Sequence, residues 1–131
     1  MRAVDTNVLV RLIVRDDPQQ LAAAERFVAA GAWVSQIVLV ETLWVLDAVF
    51  DLAAEKIAQA VDMLLAHAQL TLQDAEVVAL ALERYRARPS LGFSDCLVLE
   101  VARKAGHLPL GTFDRTLAGI PGAQRLAPAG S

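Results

Sequence analysis

The chain has 131 residues but only one cysteine, two histidines, four Phe, two Trp and one Tyr. A single cysteine excludes an internal disulfide, and Cys96 sits inside an apolar helical pattern where a buried thiol is the ordinary arrangement. A reducing cytoplasm is the expected location. Long hydrophobic runs are also missing, since Glu41 interrupts Ile37 to Val40, and no basic leader precedes Arg2-Ala3-Val4. Neither a membrane span nor a signal peptide is expected. A net charge of -3 lacks the broad positive field of a non-specific nucleic-acid binder, so any RNA contact must be local. Ten of the twelve basic residues are arginine, whose planar fork of donors suits directed recognition of phosphate or carboxylate.

The hydrophobic fraction of 56% is enough for one substantial core, and no repeat, low-complexity block or linker divides the sequence. A single domain over residues 1–131 is expected. Short strands are predicted at Arg2 to Val4, Ala32 to Ser35, Leu70 to Leu72, Leu108 to Gly111 and Ala123 to Leu126, with helical periodicity between most of them. That alternation points to an α/β sandwich with a mostly parallel sheet. Pro109 is awkward in the fourth strand, because it removes a ladder donor.

Helices are predicted from Asp17-Pro18 to about Ala30, Gln36 to Phe50, Ala53 to Ala66 and Asp74 to Arg88, the last ended by Pro89. The second and third form an antiparallel pair in which Asp51 caps the later helix. The final long helix starts with Ser94 as N-cap and stops at Gly106.

Four acids stand out. Asp5 follows the first strand, where open parallel sheets place ligand sites, though Asp5, Thr6 or Asn7 can equally cap the next helix. Glu41 lies among Ile37, Val38, Trp44, Val45 and Ala48 on a helical wheel of about 100° per residue, about 120° from the polar side of Gln36 and Asp47. An acid on an apolar face needs a cation, strong hydrogen bonds, protonation or a partner arginine. Asp95 follows Ser94 and can serve as a first-turn acid favoured by the helix dipole. Asp114 follows the fourth strand and can cap a short helix reaching Ala118. As a set they gain meaning, because a parallel sheet can gather them at one end. Two like charges about 4 Å apart repel by roughly 4 kcal/mol at an effective dielectric near 20, so converging carboxylates need shifted pKa values or a cation. Oxygen ligands without a Cys or His cluster favour Mg²⁺ or Mn²⁺ over zinc. His67 and His107 read as surface or helix-end residues.

The runs Val4-Asp5-Thr6-Asn7-Val8-Leu9, Leu39-Val40-Glu41-Thr42, Phe93-Ser94-Asp95-Cys96-Leu97 and Thr112-Phe113-Asp114-Arg115, in this order over nearly the whole chain, resemble the PIN-domain family. The resemblance implies a three-layer α/β sandwich with a five-stranded, mostly parallel sheet flanked by helices. It also implies Mg²⁺ or Mn²⁺ held by Asp5, Glu41, Asp95 and Asp114, with Thr6, Asn7 and Thr112 shaping the site, and endonuclease action on RNA. Within the family, a short free-standing chain is similar to VapC toxins of type II toxin–antitoxin pairs, inhibited by a VapB antitoxin and usually dimeric.

For RNA contact, Arg84, Arg86 and Arg88 flank Tyr85, an aromatic able to stack on a base, and Arg11 and Arg15 lie one helical turn apart just after Asp5. The first group can instead be a solvated helix end, with an arginine paired to Glu83 or to the C-terminal carbonyls. The apolar excess of the Gln36 to Phe50 helix, including Trp44, lines either a groove for an antitoxin segment, a self-association surface or the chain's own core. Two rival functions remain. A haloacid-dehalogenase-type phosphotransferase needs a second Asp two positions after the first, where Asn7 stands. A catalytically silent adaptor that binds RNA or protein with the same fold is the stronger rival.

Overall fold

The computed structural model describes residues 1–130. It contains two units, Met1–Ala75 and Glu76–Ser131. The first consists of strand β1 (Arg2–Ala3), helices α1 (Thr6–Val14) and α2 (Pro18–Val28), strand β2 (Ala32–Val34), helices α3 (Gln36–Ala48) and α4 (Ala54–Ala66) and strand β3 (Leu70–Leu72). Helix α5 (Ala75–Ala87) runs from the last residue of the first unit into the second, followed by a 3-10 turn (Pro89–Leu91), α6 (Phe93–Ala105), β4 (Leu110–Thr112), α7 (Arg115–Ala118) and β5 (Ala123–Arg125).

Among the described residues all strand pairs are parallel, which requires the helical crossovers between them. The expected single five-stranded sheet is not what forms. The five strands pair as a three-stranded sheet, β1-β2-β3, and a two-stranded sheet, β4-β5. Strand β1 has only two residues before Asp5 turns the chain into α1, and Val4 N–H adds one more bond, 3.1 Å to Trp33 O. Such a short strand presents few groups with which to sustain ladders on two edges. Strand β4 begins after Pro109, at Leu110, whose N–H donates to Gly122 O at 2.8 Å. The proline that threatened the ladder therefore lies outside it.

Helix ends explain where the acids sit. Asp17 accepts bonds from Gln19 N and Gln20 N, with Pro18 in the first turn, and Ser35 Oγ accepts from Val38 N at 3.1 Å. Two expected caps are displaced. Asp51, at φ 53°, donates its N–H to Asp47 O and so finishes the turn after α3, while Ala53 precedes α4 without a side-chain cap bond. Gly92, at φ 78° and bonded back to Pro89 O, takes the cap position of α6, which leaves Ser94 inside the first turn. At the other end Gly106 (φ 83°) closes α6 in the left-handed conformation, as expected of a glycine there.

In the first unit the core gathers Leu9 and Leu12 of α1, Ala32 and Val34 of β2, Leu39, Leu43 and Leu46 of α3, and Val61 and Leu64 of α4. The second buries Val77, Val78, Leu82, Leu97 and Leu99, with Tyr85 and Phe93 packed edge to face at 6.0 Å. Among the described residues no helix is long and apolar enough to cross a membrane.

Candidate functional site

In the first unit, β1 delivers Asp5 in extended conformation (φ -92°, ψ 168°) to the start of α1, where its Oδ1 accepts the Thr6 N–H at 2.8 Å. A cavity of about 350 Å³ opens beside it, with Asp5, Thr6, Asn7, Arg11 and Glu41 as its polar lining and Val10, Val45, Val49 and Phe50 as its apolar lining. Two of these residues carry buried polar atoms with no hydrogen-bond partner, Thr6 Oγ1 and Arg11 Nε. Arg11 Nη1 forms an ion pair with Asp16. Arg15 is the left-handed C-cap of α1.

Glu41 is exposed, which corrects the expectation that an acid on this apolar face is buried. The buried stripe of α3 is Leu39, Thr42, Leu43 and Leu46. Glu41 lies about 200° around the helix from Leu39 and faces away from it. Its apolar neighbours share that fate, since Ile37 is 79% and Trp44 64% exposed. Burial therefore supplies no argument for a cation at Glu41; the shared cavity with Asp5 does.

The second unit brings together Asp95, Asp114 and Thr112. Asp114 Oδ1 accepts from Thr116 N at 2.8 Å and Leu117 N at 3.1 Å, capping α7, while Thr112 Oγ1 accepts the Asp114 N–H at 3.0 Å. Asp95 is half-buried in the first turn of α6. Burial first, and the charge of Asp114 second, push its carboxyl above the ordinary 3.8. These two carboxylates are thus close enough to feel each other. Burial also lifts the Cys96 thiol to about 11, with Asp95 adding to the effect, so the thiol stays protonated at neutral pH.

The arginines of α5 divide. Arg84 Nε donates to Glu100 Oε1 at 3.3 Å, and Arg103 Nε reaches Glu100 Oε2 at 3.3 Å. Arg84 therefore serves a buried carboxylate, that of Glu100. Arg88 packs over Gly119, its Nη1 within 3.0 Å of where a Cβ would stand, and Arg86 is exposed. Sequence reasoning missed Glu100, whose only signal was an arginine three residues on. It also passed over Phe113, 65% exposed next to Asp114.

Residues 2–123 match the family model described as PIN domain. The chain belongs to the PIN domain family. No curated relative and no solved structure matches it. PIN domains are generally metal-dependent nucleases, and this PIN domain carries acids at each position that the family resemblance marks. Among the described residues no group of three or more His, Cys, Asp or Glu side chains is already gathered to hold an ion. What each unit offers is a pair: Asp5 with Glu41 on one cavity, and Asp95 with Asp114 in Coulombic reach. Both pairs are hard oxygen donors, and in Asp5 and Asp114 the cap bonds fall on Oδ1 alone. That donor chemistry, with the orphaned Thr6 hydroxyl beside it, fits a small hard cation.

Proposed function

We propose that this PIN domain is an Mg²⁺- or Mn²⁺-dependent endoribonuclease that acts as the toxin of a VapBC-type pair in the cytoplasm. The observation that carries the reading is the cavity where Asp5 and Glu41 meet beside an unpartnered Thr6 hydroxyl and the Arg11 guanidinium. As the family resemblance implies, Asp5 and Glu41 of the first unit and Asp95 and Asp114 of the second would be the ligands of the ion. A bound divalent ion supplies charge neutralisation at the phosphate and an activated water. Thr6 N–H and Thr112 Oγ1 hold Asp5 and Asp114 by local bonds and Asn7 lines the cavity beside them, while Arg11 and Arg15 offer cationic donors to the RNA backbone, with Arg86 and Arg88 as a second patch. A carboxylate within hydrogen-bond reach of the water accepts its proton. In-line attack then forms a bond from the water oxygen to phosphorus as the bond from phosphorus to the 3′-oxygen breaks, and that oxygen takes a proton from solvent, which leaves a 5′-phosphate and a 3′-hydroxyl.

Partners follow from the same reading. Ile37, Trp44 and Val49 leave large apolar side chains exposed on and just after α3, which supports burial against a VapB-like antitoxin and a second copy of the chain. The second reading is a catalytically silent adaptor that uses the same fold to bind RNA or protein. One assay separates them. RNA cleavage that requires Mg²⁺ or Mn²⁺, yields 5′-phosphate ends and disappears in Asp5→Asn supports the enzyme, whereas a cyclic-phosphate product or a metal-independent rate refutes the mechanism.

A further inference from the structure

A second cavity of about 350 Å³ lies between α1 and α2, lined by Val8, Gln20, Ala23, Ala24 and Phe27 together with Asn7 and Arg11. Those last two residues also line the acidic cavity, so the two spaces flank one turn of α1. We propose that the α1–α2 cavity is a base subsite, which receives one nucleobase of single-stranded RNA next to the phosphate at the acidic cavity. The inference rests on the endoribonuclease reading and adds where that enzyme reads its substrate.

Three features select a base. Asn7 and Gln20 are exposed residues that line the cavity, and neither side chain makes a hydrogen bond with another group among the described residues. Each amide offers a donor and an acceptor, the pair that matches a base edge. Val8, Ala23, Ala24 and Phe27 provide the apolar surface on which a planar ring is desolvated. Arg11 stands between the cavities with its Nε buried and unpartnered, its Nη1 held by Asp16. A guanidinium there meets the phosphate that joins a nucleotide in one cavity to its neighbour in the other. The chain's net charge of -3 makes such contacts necessary, because general attraction to phosphates is weak.

The test measures binding, and therefore does not depend on turnover. Fluorescence anisotropy with chelator present compares labelled octaribonucleotides of A, C, G and U with an abasic ribose-phosphate octamer. The wild-type chain should bind at least one homopolymer about fivefold to a hundredfold more tightly than the abasic strand. Ala23→Phe, which fills the cavity from an exposed position of α2, should bring that ratio close to one without changing abasic binding. Gln20→Ala, a mild change at an exposed helical site, should flatten the preference among bases, and Ala22→Phe, outside the cavity, should leave the ratio intact.

A wild-type ratio of one, or a ratio that Ala23→Phe and Gln20→Ala both leave unchanged, overturns the subsite. An unchanged ratio combined with weakened binding of a protein inhibitor assigns the cavity to that partner and overturns it too. Base discrimination without Mn²⁺-dependent cleavage sinks the nuclease reading alone. Cleavage with a flat binding profile sinks the subsite alone.

Discussion

Removing Glu100 and removing its two arginines break the same pair of contacts, yet the second should cost far more stability. The reason lies in who can reach water. The Glu100 side chain is 3% exposed, whereas those of Arg84 and Arg103 are 40% and 33% exposed. In Glu100→Gln both arginines rehydrate, and the amide keeps an acceptor oxygen, so the loss should be about 1 kcal/mol, the scale of a partly solvated pair. In Arg84→Met with Arg103→Met the aliphatic stems are retained but a buried carboxylate is stranded, which costs about 3–5 kcal/mol. Loss of the Arg103 Nη2 bond to Pro121 O adds to this. The gap of at least about 2 kcal/mol corresponds to roughly 6–8 °C in Tm for a chain of this size. Urea unfolding at pH 7, with the slope checked for constancy, reads the difference in midpoint. Equal losses, or a larger loss for Glu100→Gln, would refute the view that the network is organised around a desolvated carboxylate.

Asp5→Asn keeps an N-cap and should change stability by less than about 0.5 kcal/mol while abolishing metal-dependent cleavage, whereas Asp5→Ala should lose about 1 kcal/mol as well; parallel melts and RNA assays test the separation. Because the Asp95 carboxyl is raised above 3.8, the stability it contributes is complete below that pH and is lost as pH rises through its folded value. Asp95→Asn should remove that slope and exceed the parent in stability at neutral pH in metal-free buffer, and urea midpoints across pH that keep the parental slope would contradict it. Ile37→Ser with Trp44→Ser should leave the melting midpoint nearly unchanged, since both side chains are exposed, and should convert the proposed dimer to monomer in sedimentation.

The elements were legible because their ends carry chemistry that acts locally. Asp17-Pro18 and Gly106 do in the structure what their residue types dictate, and the third strand, Leu70–Leu72, falls where its alternation puts it. Pairing is not local, and there the reading fell short: strand lengths of two or three residues do not disclose which edges will find partners. Glu41 shows a different limit. The helical wheel correctly grouped it with Ile37 and Trp44, but α3 is apolar on nearly every side, so periodicity could not say which side the core would take. Glu100 was hidden for the opposite reason, as its rescue by Arg84 depends on how α5 packs, sixteen positions earlier in the chain.

Asp5 and Asp114 each admitted two readings from sequence, a helix cap or a metal ligand, and the structure makes these compatible. Each spends Oδ1 on backbone N–H groups and presents Oδ2 without a bond among the described residues. A capped carboxylate has already lost its rotamer freedom in folding, so it binds an ion without a further ordering cost. Glu41 has no such restraint, being exposed in mid-helix and without a hydrogen bond among the described residues. On the proposed reading it is therefore the acid that must be immobilised when the ion arrives, at a side-chain entropy cost of about 1.5–2 kcal/mol. Mg²⁺ titration followed by side-chain NMR should find the Glu41 carboxylate ordered by the ion and that of Asp5 little changed in mobility. Equal ordering of both would deny that capping prepares the ligand.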